Sequence, residues 1–178
     1  LGPRYAVLQN EYSKAHQKAR FRCGPISRVL VYFGSADNKN VTQRAIAALV
    51  DEVEESTQID VVVDPQNQFL REISALLSES RNAELFIGVP SLCPLMLKAD
   101  LALGAAGTTS WERCAVGLPA LVISIADNQR EVAKELHAGG FIKWLGHEDQ
   151  VSIGSIQESI RHLRGGENLE RWSRHCWS

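Results

Sequence analysis

Apolar and polar positions along the chain alternate between two rhythms. Short runs rich in β-branched residues are followed by segments in which apolar residues recur every three or four positions. Arg28 to Gly34 (RVLVYFG) is the first run, and the Gly-Ser-Ala-Asp at its end reads as a turn. Asn40 with Gln43 three residues later reads as a capping box. Ile46, Leu49, Val50 and Val53 then predict a helix over about 40 to 56. Ile59 to Asp64 is a β-branched strand stopped by Pro65, and Phe69, Leu70, Ile73, Leu76 and Leu77 mark a second amphipathic helix. Ala83 to Val89 predicts a third strand ended by Pro90, and Leu92 to Lys98 a short helix. Leu101 to Gly104 is a fourth strand with Ala105 to Gly107 as its turn, and Thr108 to Val116 is a helix that Gly117 ends. Pro119 to Ile125 is a fifth strand, followed by a helix over Asn128 to His137 that Gly139-Gly140 closes, and Phe141 to Leu145 is a sixth short strand. Beyond residue 150, Ile153, Ile156, Ile160 and Leu163 fall at helical spacing. Gly165-Gly166 interrupts them, and a last helix carries Trp172 and Trp177.

Strands that alternate with helices form βαβ units. The predicted fold class is α/β, a Rossmann-like parallel sheet of about six strands with helices on both faces. Residues 1–27 show no sustained periodicity. Lys14, His16, Lys18, Arg20 and Arg22 make them a basic stretch, read here as a solvated linker or arm. A phosphate-contacting role is the alternative. Residues 28–178 are then the folded domain, with a C-terminal helical tail.

Composition narrows the field. A chain of 178 residues with a net charge of −2 and a pI near 6.2 lacks the basic balance of a nucleic-acid binder. Its longest apolar runs are far shorter than the ~20 residues a membrane helix needs. The four cysteines, at 23, 93, 114 and 176, form no Cys-x-x-Cys and no zinc-finger spacing. A buried reduced thiol at Cys114 and a cytoplasmic compartment are expected, with no metal and no cofactor. The chain opens Leu-Gly-Pro-Arg-Tyr without an initiator Met or an opening strand, so an excised domain or fragment is expected.

Chemistry concentrates between Ala99 and Gln129. There is no Gly-x-Gly-x-x-Gly, no Walker A sequence and no His-Glu-x-x-His, and the five histidines are scattered. What remains is a pair of polar turns on one rim of the sheet. Gly104-Ala-Ala-Gly107 lets backbone N–H groups approach a ligand, and Thr108 and Thr109 add hydroxyls at a helix start. Glu112 has two readings. It closes a Thr109-x-x-Glu112 capping box, or it accepts both hydroxyls of a ribose. Asn128 is likewise an N-cap or a group that holds a sugar hydroxyl or a water.

The run from Gly104 to Pro119 (GAAGTTSWERCAVGLP), followed by Asp127-Asn-Gln129, resembles the UDP-sugar hydrolases of pseudaminic acid biosynthesis. Those enzymes act on UDP-2,4-diacetamido-2,4,6-trideoxy-β-L-altropyranose. The opening Leu-Gly-Pro-Arg-Tyr-Ala-Val-Leu and the Tyr32-Phe-Gly-Ser-Ala-Asp37 turn are similar too. The resemblance weakens after about residue 145. The Glu112-to-Pro119 spacing also resembles the bacterial undecaprenyl-linked N-acetylglucosaminyltransferases of the MurG type. The resemblance implies the C-terminal domain of a glycosyltransferase B type fold, with a Rossmann-like strand order and an N-terminal domain of the same enzyme as partner. It implies Glu112 on the ribose, Gly107, Thr108 and Thr109 facing the diphosphate, and Val89 and Leu92 bordering the uracil. Asn128 would lie at the reacting sugar as the catalytic candidate, assisted by Gln129. In that family water attacks the anomeric carbon, UDP leaves with inversion, and no metal is needed. The histidine that serves as base lies in the N-terminal domain and has no counterpart here, so the chain alone is expected to bind UDP without turnover. The rival readings are the donor-binding domain of a MurG-like glycosyltransferase and a non-catalytic UDP-sugar-binding module.

Overall fold

The computed structural model describes residues 8–163 and 167–177. The first seven residues of the opening motif, the Gly165-Gly166 interruption and the Trp177 side chain lie outside the described residues. Six strands form one parallel sheet: β1 (Arg28–Tyr32), β2 (Gln58–Val63), β3 (Ala83–Ile87), β4 (Leu101–Ala105), β5 (Ala120–Ser124) and β6 (Lys143–His147). Their order is β3-β2-β1-β4-β5-β6, the Rossmann order that the resemblance implied. The winding reverses between β1 and β4, where Tyr32 pairs with Gly104 at the carboxyl edge. A Cβ at Gly104 would lie 2.3 Å from the Tyr32 carbonyl oxygen, so only glycine permits this approach.

Strands covered on both faces are apolar on both, which is why β4 and β5 are buried throughout. On one face Val29, Val31, Val61, Leu103 and Ile123 pack against α2 (Val41–Glu52), α3 (Leu70–Ser78) and α7 (Ile153–Arg161). On the other, Leu30, Val62, Ala102 and Val122 pack against α1 (Asn10–His16), α4 (Cys93–Lys98) and α6 (Arg130–Ala138), with α5 (Thr109–Ala115) at the same layer. A last helix, α8 (Glu167–Trp177), lies across the amino-terminal ends of the strands. Ser173 Oγ donates to the Gly117 carbonyl at 2.6 Å and accepts from the Arg22 N–H at 3.0 Å.

Several boundaries move from the sequence reading. The sixth strand runs over 143–147, two residues later than expected, and breaks register opposite Val122 and Ile123, where Gly146 takes φ +128°. Asp127–Gln129 is a single 3-10 turn, and α6 begins only at Arg130. At the start of α2 the Asn40 side chain accepts from the Gln43 N–H, as expected. Most of the capping falls to buried Asp37, whose carboxylate accepts from Val41 N–H at 2.7 Å and Thr42 N–H at 3.0 Å.

The basic arm is docked on the domain, although Lys14, Lys18 and Arg20 remain exposed. Arg22 is fully buried and donates to the carbonyls of Met96 at 2.8 Å, Ala99 at 3.2 Å and Val116. His16 Nδ1 meets the Ala115 carbonyl at 2.6 Å, and Arg20 pairs with Asp100 at 2.6 Å. These acceptors lie at the C-terminal ends of α4 and α5, where orphan carbonyls and the negative end of the helix dipole welcome a cation. Burial lowers the Arg22 pKa to about 10, still high enough to keep its charge. A phosphate-contacting role for Arg20 and Arg22 does not fit, because both sit at the end of the sheet opposite the glycine turn.

Candidate functional site

At the carboxyl ends of β1, β2 and β3 a cavity of about 290 Å³ opens beside the start of α5. It brings together Val89, Leu92, Thr108, Thr109 and Glu112, five of the residues singled out in the sequence. Tyr32, Asp64 and Gly88 complete the sheet side, and Gln9, Glu11 and Tyr12 of the arm form the opposite wall. The Gly88 turn takes φ +62°, and a Cβ there would approach Pro65 Cγ at 2.7 Å, so this edge of the cavity also depends on glycine. Among the described residues no Lys, Arg or His lines the cavity, whereas Glu11, Asp64 and Glu112 do. Such a lining suits a neutral group rich in hydroxyls and polar edges, and its volume is at the small end for ligand sites.

Glu112 does not form the capping box. The helix begins one residue earlier than that reading requires, with Thr108 as N-cap and no side-chain cap bond. The half-buried Glu112 carboxylate faces the Tyr12 hydroxyl instead. Burial raises the Glu112 pKa and nearby Glu11 adds to the rise, while the hydrogen bond from Tyr12 and the charge of Arg113 oppose it. Burial also raises the Tyr12 hydroxyl well beyond the usual phenol range, with Glu112 the next cause, so the tyrosine stays a donor. Glu11 is held by the Ser91 hydroxyl, which donates to its carboxylate at 2.6 Å. Sequence reasoning missed Tyr12, Glu11 and Ser91; the only available signal was an aromatic beside a carboxylate in an aperiodic arm.

The glycine turn above α5 is braced from below. Arg113 is fully enclosed and donates to the Ala105 carbonyl at 2.7 Å and to Ser110 Oγ at 2.9 Å. Burial brings its pKa down to about 10. Gly107 has no such steric constraint: the nearest atom to a Cβ there is Gln129 Nε2, at 4.0 Å. Gln129 Oε1 accepts from the Ile125 N–H at 3.0 Å, which fixes the second polar turn onto the end of β5. Asn128 is exposed within the 3-10 turn and makes no cap, so its N-cap reading is set aside. Gly107, Asn128 and Gln129 lie outside the cavity lining, with the Gln129 side chain beside Gly107.

Other arrangements on the molecule do not build a catalytic centre. Ser124, His147 and Asp149 follow one another at 3.4 and 3.7 Å. Ser124 is fully buried in β5 and accepts from Trp144 Nε1 at 3.2 Å, so its hydroxyl is closed to substrate. His147 is itself buried. A hollow of about 960 Å³ at the amino-terminal end of β6 is lined by His137, Lys143, His162, Arg171, Trp172 and neighbours, and by none of the predicted site residues. Among the described residues no three His, Cys, Asp or Glu side chains are grouped to hold a metal ion, and no helix is long and apolar enough to cross a membrane.

Comparison with known proteins agrees with this geometry. Residues 28–173 match the family model for the glycosyltransferase family 28 C-terminal domain. "Uncharacterized protein MJ1062" of Methanocaldococcus jannaschii is 28% identical over 135 residues, 73% of this chain and 28% of its own length. The spinosyn rhamnosyltransferase SpnG superposes with a TM-score of 0.68 at 23% identity, over 89% of this chain and 41% of its own. MurG of Acinetobacter baumannii superposes at 0.64 and 17% identity, over 99% and 50%. The UDP-GlcNAc 2-epimerase of Neisseria meningitidis, solved with UDP-GlcNAc, superposes at 0.66 and 20% identity, over 93% and 44%. This chain thus spans half or less of the length of each relative. The strand order and the match over residues 28–173 place the chain in the glycosyltransferase family 28 C-terminal domain family.

Proposed function

We propose that this chain is the UDP-sugar-binding domain of a nucleotide-sugar hydrolase, with uridine in the cavity and the diphosphate along Gly107, Thr108 and Thr109. The observation that carries the reading is the cavity itself: at the carboxyl ends of parallel strands, walled by a carboxylate, and with no cation among its described lining residues. Glu112 accepts the two ribose hydroxyls, and Val89 and Leu92 border the base. Asn128, exposed on the adjoining turn, meets the sugar, with Gln129 beside it. The family match and the epimerase solved with UDP-GlcNAc support a nucleotide sugar as ligand.

The reaction is the one that the resemblance implies. Water attacks the anomeric carbon, the bond from that carbon to the diphosphate oxygen breaks, and UDP departs with inversion. The proton of the attacking water passes to a base on the N-terminal domain. Backbone N–H groups of the glycine turn and the threonine hydroxyls receive the charge that develops on the leaving diphosphate. The resemblance of residues 104–119 to the pseudaminic acid enzymes supports UDP-2,4-diacetamido-2,4,6-trideoxy-β-L-altropyranose as the substrate. A glycosyltransferase reading is favoured by the family model itself, which describes transferases. The full-length protein separates the two. Incubated with that UDP-sugar and no acceptor, a hydrolase yields free sugar and UDP in equal amounts. If UDP appears only when an acceptor is supplied, the hydrolase assignment fails.

A further inference from the structure

We propose that Arg113 is a positioning residue for the diphosphate: its guanidinium ties together the two ends of the turn that holds Gly107, Thr108 and Thr109, and sets its charge behind them. The inference rests on the reading that the diphosphate lies along those three residues, and it adds the group that gives them a preference for an anion.

The backbone of the turn leaves donors unused. Ser110 N–H donates to the Gly107 carbonyl at 2.9 Å, and Trp111 N–H to the Thr108 carbonyl at 3.0 Å. These bonds occupy the carbonyls. Among the described residues, no backbone or side-chain acceptor takes the N–H of Gly107, Thr108 or Thr109. Thr108 is exposed and its two neighbours are partly exposed, so the segment is open to a ligand. Successive free N–H groups in a turn suit an anion, provided the turn is held in one geometry.

Arg113 supplies that hold. Its Nη2 donates to the Ala105 carbonyl at 2.7 Å and to Ser110 Oγ at 2.9 Å. The two acceptors bracket residues 106–109. Arg113 is 2% exposed, and a Cβ on Gly104 would come within 2.7 Å of its Nη1, so glycine at 104 leaves room for the guanidinium.

The same group brings charge. Its partners among the described residues are a carbonyl and a hydroxyl, not a carboxylate, and its Nε has no acceptor. A buried cation without a paired anion is felt farther through the protein interior than one in water. The described lining of the cavity holds no cation, whereas this one lies directly beneath the turn. With a pKa of about 10 it stays charged at neutral pH.

The test measures uridine and UDP affinity by titration calorimetry at neutral pH for the wild-type chain, Arg113→Gln and Ser110→Ala, with folding checked by thermal unfolding. The wild type is expected to prefer UDP about tenfold or more. Arg113→Gln keeps a donor and loses the charge. It is expected to remove most of that preference while uridine affinity stays within about twofold of the wild type. Ser110→Ala frees one end of the tie with the charge in place, and is expected to lower the preference severalfold; it carries the test if Arg113→Gln does not fold. A wild type that binds both ligands alike overturns the diphosphate reading and this inference together. A wild type that discriminates, with folded variants that keep its preference, overturns the role of Arg113 alone. An equal loss of uridine and UDP affinity marks Arg113 as structural and also overturns it.

Discussion

A carboxylate half-buried among Tyr12, Tyr32 and Cys93 is costly to keep ionised in the empty fold, because burial raises its pKa and Glu11 adds like charge. The linkage has a definite sign. Between the unfolded and the higher folded pKa, the folded chain binds more protons than the unfolded one at Glu112. Its contribution to stability therefore falls as pH rises through that window and levels off above the folded value. Glu112→Gln removes this dependence. At neutral pH the variant should be at least as stable as the wild type in denaturant titration, while UDP affinity drops about tenfold or more. A capping role would give the reverse, a loss of about 1 kcal/mol in stability with UDP binding intact. Glu112 shows how far the sequence could be read. The capping box and the ribose acceptor were equally legible from Thr109-x-x-Glu112. The structure sets the capping box aside: the helix starts one residue earlier than the box needs, and a tyrosine from the arm lies beside the carboxylate.

At the scale of elements, Gly104 and Gly107 stand three residues apart and serve different ends. Gly104→Ala would press a methyl against the Tyr32 carbonyl and Arg113 Nη1, at 2.3 and 2.7 Å, so the β1–β4 contact must shift. A stability loss of about 1–3 kcal/mol or more is expected in denaturant titration. Gly107→Ala meets nothing closer than 4.0 Å and should leave stability within about 0.5 kcal/mol of the wild type. If a diphosphate lies against that backbone, the same methyl weakens UDP binding; unchanged affinity would remove Gly107 from the site. The arm is held by other means. Arg22→Ala strips the donor from the Met96, Ala99 and Val116 carbonyls and should cost about 3 kcal/mol, read from the midpoint of chemical unfolding. None of this was visible in residues 9–22. The bonds of the arm join it to residues about 70 to 150 positions away, and local periodicity carries no information about such partners.

The whole molecule is a parallel sheet whose reversal between β1 and β4 opens its carboxyl edge to a ligand. The strands were legible because a sheet covered on both faces demands continuous apolar runs, as in Val29 to Val31 and Leu121 to Ile123. Their order was not, because periodicity within a strand does not say which neighbour it pairs with; the order came from family resemblance. The site divided in the same way. Val89, Leu92, Thr108, Thr109 and Glu112 converge on one cavity, whereas the wall formed by Glu11 and Tyr12 comes from a segment that sequence alone treated as solvent-facing. The most direct test of this account is a UDP titration followed by amide chemical shifts of the chain. It predicts saturable shifts at residues 88–92, at 107–112 and at Gln129, with the Tyr12 amide moving in step. Shifts confined to residues 14–22, or to the basic hollow at His137 and Arg171, would contradict it.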